Sequence, residues 1–236
     1  MKDNKRNIEI IVVDENYSAN SLGMCLCSLT AFIDPSKIRI NIFTTRNQEE
    51  IDKVKSALML INNQSVIFTI ANSLNYLNVM LEVVNRINNN DSDLIFISDR
   101  AVVSDGWLSS MQEVVSSNSE VAAVISREIH GSSDRKALEL VPYAIAGNDV
   151  DISLSPFFDM KIVPDFDESL GLISLSKIKL FCTYFSKSFM QKINWDYYYP
   201  LGNNFFIDEV SYYVQSLNMS IVYTARSKVF DASCFI

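Results

Sequence analysis

The chain has 236 residues, of which 48% are hydrophobic, 20% charged and 11% aromatic. That length and composition predict one large globular domain, or a domain with an appended lobe, and exclude a disordered chain. The net charge of −8 excludes DNA or an anionic membrane held by the overall field. An anionic ligand therefore needs a local device: a metal, a few Lys or Arg, or helix N-termini.

Ile8–Val13, IEIIVV, is short, apolar and β-branched, and it predicts a buried strand. The basic stretch before it has too short an apolar part for a signal peptide and is expected to be a solvated lead into that strand. DENYSANS supplies turn and N-cap residues. Leu22, Cys25, Leu29 and Phe32 then fall at helical spacing, with Cys25 and Cys27 expected as core thiols, until DPSK breaks the helix. Ile38–Phe43 is a second strand. A second helix carries Ile51, Val54, Leu58 and Ile61 on one face, with Glu49 and Glu50 in its first turn.

The pattern recurs with a strand at Val66–Ile70 and a helical stripe of Leu74, Leu77, Leu81, Val84 and Ile87. Leu94–Ile97 is a fourth strand, ending abruptly in Ser98-Asp99-Arg100. A short apolar run follows, then a helix through Trp107, Leu108, Met111, Val114 and Val115, and a fifth strand at Val121–Ile125. Strands alternating with helices predict βαβ units, hence an α/β fold with a mostly parallel sheet covered on both faces. Ligands of such sheets sit at the carboxyl ends of the strands, which singles out loops 14–20, 44–48, 71–74 and 98–106.

Regularity lapses after Arg127. Residues 128–172 read as a loop-rich insertion with a strand or two, including His130 in a loop and the acidic cluster Asp159, Asp165, Asp167 and Glu168. A strand from Lys179 to Phe185, a short helix, a further helix containing Asp208-Glu209 and a last strand at Ile221–Tyr223 complete the chain. Cys25, Cys27, Cys182 and Cys234 form no CxxC pair and His130 is the only histidine. A Cys/His zinc site is thereby excluded, and free thiols without a signal point to the cytoplasm.

In this order and spacing the chain resembles a family 2 glycosyltransferase of the GT-A fold. The first strand runs into Asp14-Glu15-Asn16. The phrase Val102-Val103-Ser104-Asp105-Gly106-Trp107-Leu108 follows the fourth strand and is the most specific match. Ile193-Asn194-Trp195-Asp196 stands at the family's Gly-Phe-Asp position, and Asp208-Glu209 precede LNMSIVY. The resemblance implies a nucleotide-sugar-binding half at 1–127 and an acceptor-side half at 128–236.

It also implies transfer of a sugar, of hexose type and with inversion, from a nucleoside-diphosphate donor such as a UDP-sugar to an acceptor hydroxyl. The acceptor would be a glycan, a lipid-linked carrier or a protein, in assembly of surface polysaccharide or glycoprotein. A second copy of the chain or a membrane-associated assembly partner is compatible with that role. Such chemistry commonly sets Mn²⁺ or Mg²⁺ against the leaving diphosphate as a Lewis acid and a carboxylate against the acceptor proton.

Three departures qualify the resemblance. Arg100 stands where the family has its metal-binding Asp, with Asp99 one position earlier. Two arrangements follow: Asp99 holds the metal, or the site is metal-independent and Arg100 answers the diphosphate itself. Asp231 stands near the family's terminal metal-binding His, so Asp99 and Asp231 can share one ion. Thr44 closes the second strand in place of an Asp that reads uracil. Asp14, Glu15, Asn16, Thr44, Asp99 and Arg100 are the donor-side residues. Asp208, placed at a helix N-terminus, and Glu209 compete as catalytic base. The aromatic run Trp195, Tyr197, Tyr198, Tyr199, Phe205 and Phe206 suits sugar stacking or core packing. The same departures support a different class of function, a degenerate GT-A domain serving as a binding or regulatory subunit. A nucleotidyltransferase ranks last, because the loop after the first strand is acidic and lacks a Gly-rich phosphate cradle.

Overall fold

The computed structural model describes residues 8–16, 18–33, 38–57, 66–86, 92–131, 137–140, 172–194 and 203–232. The β-branched run at the start becomes β1 (Ile8–Asp14), and every one of its residues is buried. Ile8, Ile10 and Val12 face one core while Ile11 and Val13 face the other, as the two-residue period of a strand requires. A strand apolar on both faces needs cover on both, and helices supply it.

α1 (Ala19–Phe32) opens on Ser18, whose hydroxyl accepts from the Ser21 amide. It is followed by β2 (Ile38–Thr44), α2 (Gln48–Ala57), β3 (Val66–Ile70), α3 (Tyr76–Arg86) and β4 (Asp93–Ser98). Then come β5 (Ala101–Val103), α4 (Trp107–Ser117), β6 (Val121–Gly131), β7 (Ala137–Leu140) and β8 (Leu172–Leu175). β9 (Cys182–Phe185), α5 (Lys187–Met190), α6 (Asn203–Ser216) and β10 (Ser220–Asp231) end the described chain.

The strands form one mixed sheet in the order β3-β2-β1-β4-β9-β6-β10-β5, with β7 added to β6 and β8 to β10. β3, β2, β1 and β4 are mutually parallel, and β10 is parallel to β6. β9 lies antiparallel between β4 and β6. α1, α2 and α4 cover one face and α3, α5 and α6 the other. β6 crosses the 127/128 boundary, so one sheet runs through both halves of the chain. Among the described residues no helix is long and apolar enough to cross a membrane.

Several local expectations are corrected. Cys25 is buried but Cys27 is exposed. Residues two apart on a helix point about 200° apart, so both cannot face one core. On α3 the buried residues among those described are Val79, Met80 and Val83, and Leu74 and Leu81 of the expected stripe are partly buried and pack against the same core; the side chains of Leu77 and Val84 lie outside the description. His130 lies on β6 opposite Leu138 of β7, not in a loop. Leu58, Ile61, Ile87, the acidic cluster at 159–168, the aromatics at 195–199 and Cys234 lie outside the described residues. Phe206 is core.

Glu9 is an unusual member of a buried strand. Its Oε2 accepts from Asn41 Nδ2 at 2.8 Å, and Arg39 approaches Oε1 at 3.4 Å. Burial, opposed by the Asn41 hydrogen bond and the Arg39 charge, raises its pKa above the ordinary 4.5. A carboxyl whose folded pKa is raised contributes stability that is fully present below 4.5 and lost as pH rises through the folded value. Glu9→Gln, which mimics the neutral acid, is therefore expected to raise the thermal midpoint at pH 7 to 8 and to leave it unchanged at pH 4. A scan of Tm against pH for both proteins checks this. A lower midpoint for Glu9→Gln at pH 8 would contradict the sign.

Candidate donor site at the carboxyl ends of the strands

β1 and β4 are adjacent and parallel, yet β1 leads outward to β2 on one side while β4 continues the sheet on the other. The strand order thus reverses between them. The crevice outside the carboxyl ends at such a point is where open α/β sheets bind ligands. Two segments border it: Asp14–Asn16 after β1 and Ser98–Arg100 after β4. Asp99 N donates to Val13 O at 3.1 Å, which ties the two together.

Asp14 is fully buried. Arg46 grips it with a two-pronged contact, Nε to Oδ2 at 2.7 Å and Nη2 to Oδ1 at 3.1 Å. Thr44 Oγ1 donates to Oδ2 at 2.6 Å and accepts from the Arg46 amide at 3.0 Å. The Asn16 amide donates to Asp14 Oδ1 at 3.0 Å, closing a turn in which Asn16 has φ 63°. Asparagine tolerates that left-handed conformation. Asp14 and Thr44 therefore hold each other and Arg46, and the turn presents Glu15 and Asn16, both exposed. Glu15 accepts from the Tyr76 hydroxyl. The Tyr76 ring meets Phe96 edge-on with centroids 5.3 Å apart. Burial first, then the Glu15 hydrogen bond, push the Tyr76 phenol well up, so it stays a neutral donor.

Asp99 is also fully buried, near α1. Ser98 Oγ donates to its Oδ1 at 3.4 Å. The Cys25 thiol reaches Ser98 O at 3.6 Å, and burial, then the Asp99 charge, push that thiol well up. Arg100 turns the chain into β5, where Ala101 pairs with Asp231 of β10. The guanidinium grips the Asp231 carboxylate: Nε donates to Oδ2 at 3.0 Å and Nη2 donates to the same oxygen. The Asp231 side chain is 2% exposed and that of Arg100 32%. The Ala232 amide closes the arrangement on Arg100 O at 2.7 Å. Further along, Lys179 pairs with the buried Glu128.

Asp208 and Glu209 are both exposed. The expected helix N-terminus at Asp208 is corrected, because α6 opens five residues earlier, at Asn203. Phe206, Val210 and Val214 anchor its buried stripe. Ser211 Oγ accepts from the Ile178 amide at 2.9 Å, and Asp208 Oδ1 pairs with Lys177 Nζ at 3.0 Å. Residues 177–181 lead back to β4, where Ser98 N donates to Phe181 O at 2.9 Å. Asp208 thus meets, through Lys177, the segment whose Phe181 borders the β4 carboxyl end. The Lys177 pair is solvent-exposed and adds little stability.

The implied Mn²⁺ or Mg²⁺ does not fit Asp99 and Asp231 as a shared pair. A cation there would meet the Arg100 guanidinium already seated on Asp231. Among the described residues no three His, Cys, Asp or Glu side chains come together as a cation set.

Arg46 was the residue missed by sequence reasoning. Its signal was present: an Arg two residues after an apolar strand, beside a strand that ends in Asp.

No protein-family model matches the sequence. No curated protein matches it either. Solved structures do match the fold. GalNAc-T7 with UDP, GalNAc and Mn²⁺ superposes with a TM-score of 0.65 at 11% identity, over 97% of this chain and 44% of that one. The mannosyltransferase PcManGT from Pyrobaculum calidifontis, in complex with GDP-Man and Mn²⁺, gives 0.61 at 6% identity, over 96% of this chain and 57% of that one. The chain thus spans about half the length of each. The likeness establishes a GT-A-type α/β fold.

Proposed function

We propose that this chain transfers a sugar from a nucleoside-diphosphate donor, a UDP-sugar first among them, to an acceptor hydroxyl. The reading is carried by the crevice between the β1 and β4 carboxyl ends, with Glu15, Asn16, Asp99 and Arg100 around it. The GT-A architecture supports it. Asp14 and Thr44 act as positioning residues for the donor loop rather than as direct readers of the base. Residues 1–127 form the donor half and 128–236 the acceptor half. The setting is cytoplasmic assembly of surface polysaccharide or glycoprotein, with a glycan, lipid-linked or protein acceptor.

In a single displacement with inversion, the acceptor oxygen forms its bond to the sugar C1 as the C1–O bond to the diphosphate breaks. The electron pair leaves on the diphosphate and the acceptor proton passes to a carboxylate. Asp208 is the proposed base, with Glu209 beside it. Its exposed carboxylate is accessible to an incoming hydroxyl and pairs with Lys177.

The test is release of UDP or GDP from a panel of nucleotide sugars, alongside thermal shift with the same nucleotides. Asp208→Asn is expected to lower release about a hundredfold with nucleotide stabilisation retained, the usual scale for losing a general base. Unchanged release in that variant would move the base elsewhere, with Glu209→Gln next. The closing of Asp231 by Arg100 favours a second reading, a GT-A domain that binds a partner or ligand without chemistry. Nucleotide stabilisation with no release from any sugar would support it.

A further inference from the structure

We propose that Glu15, held by the Tyr76 hydroxyl, reads the ribose diol of the nucleotide, and that this pair makes the site prefer ribonucleotides to 2′-deoxyribonucleotides. The inference rests on the nucleotide-sugar reading above and deepens it by naming the part of the donor that Glu15 meets. Glu15 follows β1 directly, in a segment that borders the crevice, and it is exposed. A carboxylate there repels a diphosphate but suits the hydroxyl end of a nucleoside, because it only accepts hydrogen bonds. Acidic residues read ribose hydroxyls in other open α/β sheets, at the same carboxyl ends of the strands. An ionised carboxylate offers about four lone-pair sites on its two oxygens. The Tyr76 hydroxyl occupies one of them, on Oε1. The capacity that remains, on both oxygens, matches two adjacent O–H donors, which every ribonucleotide carries and a 2′-deoxyribonucleotide does not.

Tyr76 is a positioning residue. It opens α3, and its ring meets Phe96 of β4 edge-on, with centroids 5.3 Å apart. Phe96 is buried and lies two residues before the end of β4. Tyr76 therefore reaches from β4, on one side of the crevice, to Glu15 on the other. Burial first, then the Glu15 hydrogen bond and charge, push the phenol well up, and the Asp99 charge adds to that push from the β4 side. The phenol thus stays a donor to Glu15. The backbone of the same turn is fixed separately, by the Asn16 amide on Asp14. A free glutamate side chain loses much rotamer freedom when it binds. Here its carboxylate is already tied down, which lowers the ordering cost of meeting a ligand.

The experiment is thermal shift of the whole chain with UDP, dUDP, GDP and dGDP, each titrated in the presence of Mn²⁺ to give an affinity. At least one ribonucleotide is expected to bind the wild type about tenfold tighter than its 2′-deoxy counterpart, the scale of one hydrogen bond to a charged group. Glu15→Gln should shrink that ratio towards one by weakening the ribonucleotide more than the deoxynucleotide. Tyr76→Phe keeps the ring against Phe96 and removes only the hydroxyl, so it should fold, and it should shrink the same ratio. A merely structural role for Tyr76 would weaken both nucleotides equally and leave the ratio unchanged. Three results overturn the proposal while leaving the nucleotide-sugar reading intact. The first is equal wild-type affinity for ribo- and deoxynucleotides. The second is a wild-type ratio retained in Glu15→Gln; if GDP and dGDP alone were weakened there, Glu15 would read guanine instead. The third is a wild-type ratio retained in Tyr76→Phe. No shift of the wild type with any of the four nucleotides removes the nucleotide-sugar reading itself, and this inference with it.

Discussion

Replacing Arg46 with leucine is expected to destabilise the chain by about 3–5 kcal/mol, the scale for removing one partner of a buried ion pair. The Arg46 side chain is 5% exposed and that of Asp14 fully buried, so solvent does not screen the pair. Among the described residues, Asp14 without Arg46 keeps the Thr44 hydroxyl and the Asn16 amide as polar partners for a full negative charge. Neither carries charge, and the dielectric around them is low. Urea unfolding of Arg46→Leu, Asp14→Asn and the double variant measures the effect. Because the penalty lies in the orphaned charge, the double variant should be markedly more stable than the sum of the two singles predicts. A loss under about 1 kcal/mol in Arg46→Leu would show that Asp14 is not held as a buried carboxylate. The same lesion should loosen the Glu15-Asn16 turn, so nucleotide stabilisation should fall with it.

That buried pair marks where the sequence stopped being readable. The βαβ half was legible because period and composition agree there: Ile8–Asp14, Ile38–Thr44 and Val66–Ile70 are short, apolar and separated by helical spacing. The other half depends on pairings far apart in the chain. β9 inserts antiparallel between β4 and β6, an arrangement that no local pattern encodes. β5 is three residues long and exists because β10 pairs with it. β10 itself runs to Asp231, well past the apolar Ile221–Tyr223. Ala225, Arg226 and Ser227 form a bulge between the stretches that pair with β6, and the polar Arg226 and Ser227 interrupt the strand pattern. The site shows the same division. Arg100 and Asp231 were each legible as departures from a family pattern, 131 positions apart, but their direct contact was not. Arg46 was passed over because a charged residue just beyond a strand reads as a solvated loop until its buried partner is known.

Trp107→Ala is expected to cost about 3–5 kcal/mol, the range for truncating a large buried aromatic. Trp107 belongs to the most specific phrase in the sequence, Asp105-Gly106-Trp107-Leu108, and such a phrase invites a ligand-binding role. Its place in the fold argues for packing. The side chain is 1% exposed and shares the inner face of α4 with Met111, Val114 and Val115. It belongs to the same core cluster as Leu22, Leu26 and Leu29 of α1, on the side where α4 packs against β6 and β10. Gly106 caps the helix with φ 74°, a left-handed conformation that favours glycine. The preceding glycine therefore sets the entry angle that drives the indole inward. Trp107 Nε1 has no hydrogen-bond partner among the described residues, so the indole acts mainly through its volume. Trp107→Phe should then lose much less stability than Trp107→Ala, since it keeps most of the apolar contact. In urea unfolding the order should be wild type, Phe, Ala. Trp107→Phe should also keep the full nucleotide-dependent shift in Tm, because a packing residue changes stability without changing the site. A Phe variant that folds with wild-type stability but loses that shift would instead place Trp107 in the ligand's path.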